Sequence, residues 1–209
     1  MITDPNYFLN DKTYKDVIIQ GSEFPKGEYK YNVKITLNKY IQDEFIPTLR
    51  KLFPNITKGH YTAMLTHAYV EGFYPTSRAY ENNNPGNIGN TDGGSNNKFS
   101  TLEAGIIALH DFLIRVGEGK VKSYPMGKEL TLKPFYSKEI AKNCVRYQKS
   151  PWCPGYRFVF DGRICQFLKI YATGPRSGHV YENAYLTMYK QAGFTITVNS
   201  KIQDLIKLT

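Results

Sequence analysis

The sequence predicts a mainly helical α+β fold with a small β region. Apolar residues recur three or four positions apart in several segments, and most of these segments stop at glycine or proline. The clearest helix should open with a capping box of Ser100 and Glu103 and present one apolar face: Leu102, Ile106, Leu109, Phe112, Leu113 and Val116. Strand-like alternation is short, and segment 82–98, rich in asparagine and glycine, is where we expect a loop or small hairpin.

The length of 209 residues is sufficient for one domain with an appendage. Residues 1–35 lack helical periodicity and contain a Pro-Lys-Gly turn at 25–27, so we expect an N-terminal extension that packs on the main domain. Residues 36–209 carry the helical patterns and form that main domain. Its first helix should be interrupted at Pro47.

One glutamate, Glu71, stands where a helix should end. This helix is expected to begin after Thr57, a good N-cap, and to stop at Gly72. Its inward face carries Tyr61, Met64, Leu65 and Ala68, and extending that face by three residues reaches Glu71. A carboxyl group on an inward face loses hydration, so its pKa should rise and it could donate a proton near neutral pH. The alternative is a solvent-exposed glutamate at a frayed helix end.

An asparagine-rich turn follows Glu71 by about a dozen residues and reads Asn82-Asn83-Asn84-Pro85-Gly86-Asn87-Ile88-Gly89. Proline and glycine allow a sharp bend, and asparagine side chains can hydrogen-bond sugar hydroxyl and acetamido groups. The turn could equally be an ordinary polar loop.

The formal charge of +9 indicates an anionic partner such as bacterial cell wall or nucleic acid. Because the basic residues are scattered, we do not expect nucleic-acid binding. The cysteines and histidines lack metal-ligand spacing, so no metal or other cofactor is expected. The polar stretch Met1–Asn10 does not resemble a signal peptide, and no segment predicts insertion into a membrane.

Four segments in combination resemble the signature of lysozyme-fold peptidoglycan hydrolases, with glucosaminidase-type autolysins and lytic transglycosylases as the nearest relatives. They are Glu71-Gly72-Phe73, Ser77-Arg78-Ala79, Asn83-Asn84-Pro85-Gly86-Asn87-Ile88 and Phe99-Ser100-Thr101-Leu102-Glu103. A later Tyr171-Ala172-Thr173 is also similar to that family, although the spacing to Tyr181 is longer here. The resemblance covers roughly 57–193 and implies a lysozyme-like catalytic domain within 36–209.

The resemblance implies that Glu71 is the general acid and that Tyr181 is the tyrosine of the cleft, with Tyr171 as its substitute. Either tyrosine could instead be a core residue. The implied substrate-binding residues are Ser77, Asn83, Asn84, Asn87, Ile88 and Tyr171.

A second carboxylate would act as nucleophile or base in a lysozyme mechanism. Asp92 is the candidate, although Asp92-Gly93 is also a common turn. Glu81 should be solvated, and Glu103 is explained by capping. A transglycosylase needs no such group, because a hydroxyl of the substrate closes an anhydro ring.

We therefore expect cleavage of β-1,4 glycosidic bonds in peptidoglycan glycan strands. The alternative is a non-catalytic phage structural or wall-binding module of the same fold. The resemblance implies a phage endolysin held in the host cytoplasm until lysis, or a virion-associated lysozyme that contacts other virion proteins.

Overall fold

In the computed structural model the protein is described over residues 13–14, 33–90, 96–131, 157–172 and 175–209. This part of the chain is mainly helical with two small antiparallel sheets, which confirms the coarse fold class. The elements in chain order are β1 (Thr13–Tyr14), β2 (Val33–Lys34), a π-helical segment (Ile41–Phe45), α1 (Ile46–Leu52), α2 (Lys58–Val70), α3 (Arg78–Glu81), α4 (Leu102–Gly117), β3 (Glu129–Thr131), β4 (Arg157–Val159), α5 (Ile164–Tyr171), α6 (Pro175–Gln191) and α7 (Ile202–Leu205).

Helix α2 forms the centre of the core. Every residue from 59 to 68 is buried, including the polar side chains of Thr62, Thr66 and His67. A helix that is buried on all sides needs partners all round. Helix α6 packs along α2, α5 packs on α6, and α4 and α7 also contact α2. The Tyr189 hydroxyl donates to the Gly59 carbonyl oxygen at 2.7 Å and so ties α6 to the start of α2.

The ends of α2 lie where the sequence predicts them. The Thr57 side chain accepts a hydrogen bond from the His60 N–H at 3.1 Å, as an N-cap does. Gly72 adopts a φ of 67°, which a residue with a Cβ rarely tolerates, and the chain turns there. The predicted interruption at Pro47 is not a break, because the chain stays helical through 39–52 and changes only from π-helical to α-helical geometry at Ile46, just before the proline.

One local prediction is wrong, and one alternative left open by the sequence is narrowed. The N-cap of α4 is Thr101, whose side chain accepts from the Ala104 N–H at 3.2 Å, rather than Ser100. This shift places Ala104, not Glu103, at the position that completes a capping box. The error arises because two equally good capping hydroxyls stand side by side at 100 and 101. The described residues between 82 and 98 form turns without a strand, which agrees with the loop rather than the small hairpin, and β3 pairs with β4 further along the chain.

The N-terminal prediction is described only in part. Strands β1 and β2 pair antiparallel, β2 packs against α6, and Ile35 is buried in the main core. The division at residue 35 stays a prediction. No helix in the described ranges combines the length and apolar character needed to cross a membrane.

The asparagine turn packs directly on the first helical turn of α4. A Cβ on Gly105 would lie 1.7 Å from the Asn83 carbonyl oxygen and 3.2 Å from Pro85 Cδ. Only a residue without a side chain lets the backbone of the turn approach this closely. Gly105 therefore sets the position of the turn relative to the core.

We expect Gly105→Ala to lower the free energy of unfolding by at least about 2 kcal/mol, because the methyl group forces the turn away from α4. Urea unfolding measures the change. Ala104→Gly is the control, since it alters helix propensity alone and should cost about 1 kcal/mol. Without the clash, Gly105→Ala would stabilise the helix by propensity, so a gain in stability would contradict the packing described.

Candidate active site

Glu71 is the C-cap residue of α2. Its N–H donates to the His67 carbonyl oxygen at 2.9 Å, so the helix holds its backbone in place. Because the chain turns at Gly72, the Glu71 side chain stays at the end of the core instead of continuing along a helix surface. The residue is half-buried, as the sequence pattern predicts for an inward position.

The Glu71 carboxyl group accepts a hydrogen bond on each oxygen. The Tyr181 hydroxyl on α6 donates to Oε1. The Asn87 side-chain amide donates to Oε2 at 2.5 Å. The predicted acid, the predicted cleft tyrosine and one asparagine of the turn therefore meet at one carboxyl, although Glu71 and Tyr181 are 110 residues apart in the chain.

Burial raises the pKa of Glu71 above the ordinary value of a glutamate. The hydrogen bonds from Tyr181 and Asn87, and the positive charge of Arg78, favour the ionised form and partly oppose this rise. The loss of hydration is the larger influence. Glu71 therefore retains a proton to a higher pH than a solvated carboxyl does.

The asparagine turn is held by its own side chains. Asn84 has no exposed surface: its Nδ2 donates to the Ile88 and Asn97 carbonyl oxygens, each at 3.1 Å, and its Oδ1 accepts from the Ile88 N–H at 2.9 Å. Asn83 Nδ2 donates to the Phe99 carbonyl oxygen at 3.1 Å. These two predicted binding residues hold the shape of the turn, while Asn87 points to Glu71.

The two tyrosines near the turn have different contacts. The Tyr171 hydroxyl, at the end of α5, donates to the Gly86 carbonyl oxygen and so connects α5 to the turn. The Tyr171 and Tyr181 rings meet edge to face with centroids 5.5 Å apart. Tyr181 is only 2% exposed, so it is both a core residue and the tyrosine at the carboxyl. The core interpretation of Tyr181 is confirmed by its burial, and its role in a substrate cleft stays a prediction.

A buried histidine packs against the rings of Tyr171 and Tyr181. The ring of His67, one helical turn before Glu71, lies 4.7 Å from the Tyr171 ring and 5.3 Å from the Tyr181 ring. Its Nε2 is 2.8 Å from the Tyr185 hydroxyl. Burial lowers the pKa of His67 to about 3, so its ring is neutral and places no positive charge close to Glu71.

The remaining predicted residues lie around this centre. Ser77 is the N-cap of α3, and its Oγ accepts from the Tyr80 N–H at 3.2 Å. Ile88 is half-buried in the turn and packs on the core. Asp92 lies outside the described residues. Glu81 is exposed on α3, as predicted for a solvated carboxylate, and Glu103 is exposed on α4, where it does not complete a capping box.

Three residues near Glu71 were not singled out by the sequence. Tyr74 is 47% exposed, and its ring lies over Gly72, where an added Cβ would be 2.9 Å from Tyr74 Cε1. Arg78 is exposed and acts electrostatically on Glu71. Asn90 donates from Nδ2 to Asn87 Oδ1 at 2.7 Å. Tyr74 could have been found from the sequence, because it is an aromatic residue only three positions after the candidate acid. Asn90 could not, because its contact with Asn87 depends on how the turn folds.

Comparison with known proteins finds no matching family model, no matching curated protein and no matching solved structure. Within the described ranges, no three His, Cys, Asp or Glu side chains are grouped as metal ligands would be.

We expect Glu71→Gln to stabilise the fold at about pH 7.5 and to have little effect at about pH 3.5. The folded pKa is raised, so the unfolded chain loses this proton first and stability falls as the pH rises above the unfolded value. Glutamine has no acidic proton, so the variant does not show this fall in stability. Urea unfolding at both pH values measures it, and Glu81→Gln, at an exposed site, is the control. A stability difference with no pH dependence would contradict the raised pKa.

Proposed function

We propose that the protein cleaves β-1,4 glycosidic bonds in peptidoglycan glycan strands, with Glu71 as the general acid. The observation that carries the proposal is a partly buried carboxyl with a raised pKa, flanked by a tyrosine hydroxyl and an asparagine amide. Glycosidic cleavage needs a proton donor that remains protonated near neutral pH. The resemblance of the sequence to lysozyme-fold hydrolases supports the same reaction.

In the proposed mechanism Glu71 transfers its proton to the glycosidic oxygen as the bond from that oxygen to the sugar carbon breaks. Positive charge develops on the sugar ring, and the carboxylate left on Glu71 lies close enough to favour it electrostatically. The ring carbon is then attacked by water or by a hydroxyl of the same sugar. The attacking oxygen loses a proton, which returns to Glu71 and restores the acid.

Two exposed side chains beside Glu71 suit a glycan substrate. The Tyr74 ring offers a flat apolar surface against which the apolar face of a sugar ring can stack. The Arg78 guanidinium offers hydrogen-bond donors and a positive charge to the carboxylates that peptidoglycan carries on its lactyl and peptide groups. The formal charge of +9 would also favour adsorption to the acidic wall.

The fate of the sugar separates two versions of the reaction. Attack by the substrate's own hydroxyl needs only Glu71, first as acid and then as base, whereas attack by water calls for a second carboxylate, for which Asp92 is the candidate. Mass spectrometry of muropeptides distinguishes an anhydro product from a reducing one.

We expect Glu71→Gln to reduce release of soluble fragments from purified cell walls at least about a hundredfold, because an amide cannot donate the proton. The wild-type activity should fall as the pH rises through the pKa of Glu71. Glu81→Gln makes the same chemical change at an exposed position and should keep wild-type activity. Full activity in Glu71→Gln would remove the assignment.

A wall-binding module without catalysis is the competing function. It predicts that the wild-type protein sediments with purified walls and releases nothing at any pH. The same digestion and a pull-down with the walls therefore decide between the enzyme and the module.

We expect Tyr74→Ala to raise KM for a soluble glycan fragment about tenfold with a smaller change in kcat, since the ring binds sugar without taking part in proton transfer. Tyr74→Phe keeps the stacking surface and should resemble the wild type. Equal KM values for Tyr74→Ala and wild type would exclude Tyr74 from the substrate site.

A further inference from the structure

Three asparagines form a hydrogen-bonded chain that ends on the Glu71 carboxyl. The Asn97 backbone N–H donates to Asn90 Oδ1 at 2.7 Å. Asn90 Nδ2 donates to Asn87 Oδ1 at 2.7 Å, and Asn87 Nδ2 donates to Glu71 Oε2 at 2.5 Å. We call this chain the amide relay.

The direction of every bond in the amide relay follows from its first member. A backbone N–H can only donate, so the atom of Asn90 that it meets must be the oxygen. The nitrogen of Asn90 then faces Asn87, which must present its own oxygen. The nitrogen of Asn87 is left to face Glu71. Turning either amide over would bring two acceptors or two donors into contact.

The relay therefore imposes different conditions on the two carboxyl oxygens. Oε2 faces a group that can only donate, so a proton on Oε2 would meet the Asn87 amide hydrogens. Oε1 faces the Tyr181 hydroxyl, which can donate to a carboxylate or accept from a carboxylic acid. Only Oε1 has a partner that suits both protonation states.

We propose that the amide relay assigns the transferable proton of Glu71 to Oε1, on the side of Tyr181, and that Asn90 is a positioning residue for it. The catalytic meaning of this assignment rests on the proposed function, while the assignment itself is a property of the free protein. The other groups that act on Glu71 from the surrounding elements are Arg78 on α3 and Tyr171 on α5, and His67 on α2 is neutral.

The first experiment uses Glu71→Gln as a fixed copy of the protonated side chain. Its amide has one oxygen and one nitrogen, and the relay requires the oxygen to face Asn87 and the nitrogen to face Tyr181. NMR contacts from the introduced NH₂ protons report the orientation. Contacts to the Tyr181 ring support the proposal, and contacts to the Asn87 side chain overturn it.

The second experiment measures the Glu71 pKa by carboxyl ¹³C NMR in Asn87→Ala, Asn90→Ala and the double variant. Loss of the Asn87 donor should raise the pKa, and loss of Asn90 should raise it less, because Asn87 is then no longer held with its nitrogen toward Glu71. In the Asn87→Ala background, Asn90→Ala should change nothing more. An unchanged pKa in Asn90→Ala, or equal rises in both backgrounds, overturns the role of Asn90.

Two further variants serve as a substitute and a control for these titrations. Asn90→Ser keeps an oxygen near the Asn97 N–H but is too short to reach Asn87, so it should act like Asn90→Ala if the latter fails to fold. Asn82→Ala removes an asparagine of the same segment that is outside the relay and should leave the pKa of Glu71 unchanged. These titrations need no substrate, so they succeed or fail independently of the proposed function.

The catalytic consequence is measured separately on purified walls. A higher pKa keeps Glu71 protonated further into the alkaline range, so the alkaline limb of the activity profile of Asn90→Ala should move to higher pH. Its maximal rate should fall about threefold to tenfold, because the proton is less well placed. An unmoved alkaline limb in a protein whose Glu71 pKa has risen would count against Glu71 as the acid and leave the relay intact.

Discussion

The contact between Glu71 and Tyr181 is the constraint on which the described site depends. A carboxylate at the C-terminus of a helix meets the partial negative charge of the last carbonyl groups, and burial removes the water that would screen it. Both effects favour the protonated form. The hydroxyl of Tyr181 prevents the cost from becoming prohibitive, because it bonds to the oxygen in either state. Glu71 can therefore occupy a position that disfavours its charged form, because the Tyr181 hydroxyl can either donate or accept a hydrogen bond.

The site is built on the packed core: Glu71 and Tyr181 lie on core helices, and the turn that carries Asn87 is attached to α4 and α5. Glu71 continues a helix whose residues 59–68 are all buried, and Tyr181 belongs to the helix packed along it. The turn that carries Asn87 is fixed at two points, by close approach to Gly105 and by the Tyr171 hydroxyl on Gly86. A proton donor of the proposed kind would benefit from supports that packing holds in place.

The sequence predicted those features that local chemistry decides. The cap at Thr57, the stop at Gly72 and the inward direction of Glu71 all follow from a few neighbouring residues. It did not separate the asparagines, because Asn84 and Asn87 have the same side chain and differ only in where the folded turn directs them. The importance of Asn90 depends on a backbone N–H seven residues away, for which no periodic signal exists. In the same way, the local sequence did not decide whether the hydroxyl at 100 or the one at 101 would cap α4.

The large separation in the chain between Glu71 and Tyr181 has a consequence for the nascent polypeptide. Until α6 has emerged and docked, Glu71 has neither its Tyr181 hydrogen-bond partner nor the packing of α6 against α2. The early part of the chain therefore cannot give Glu71 its raised proton affinity, however well that part forms helix. This property arises only together with tertiary structure.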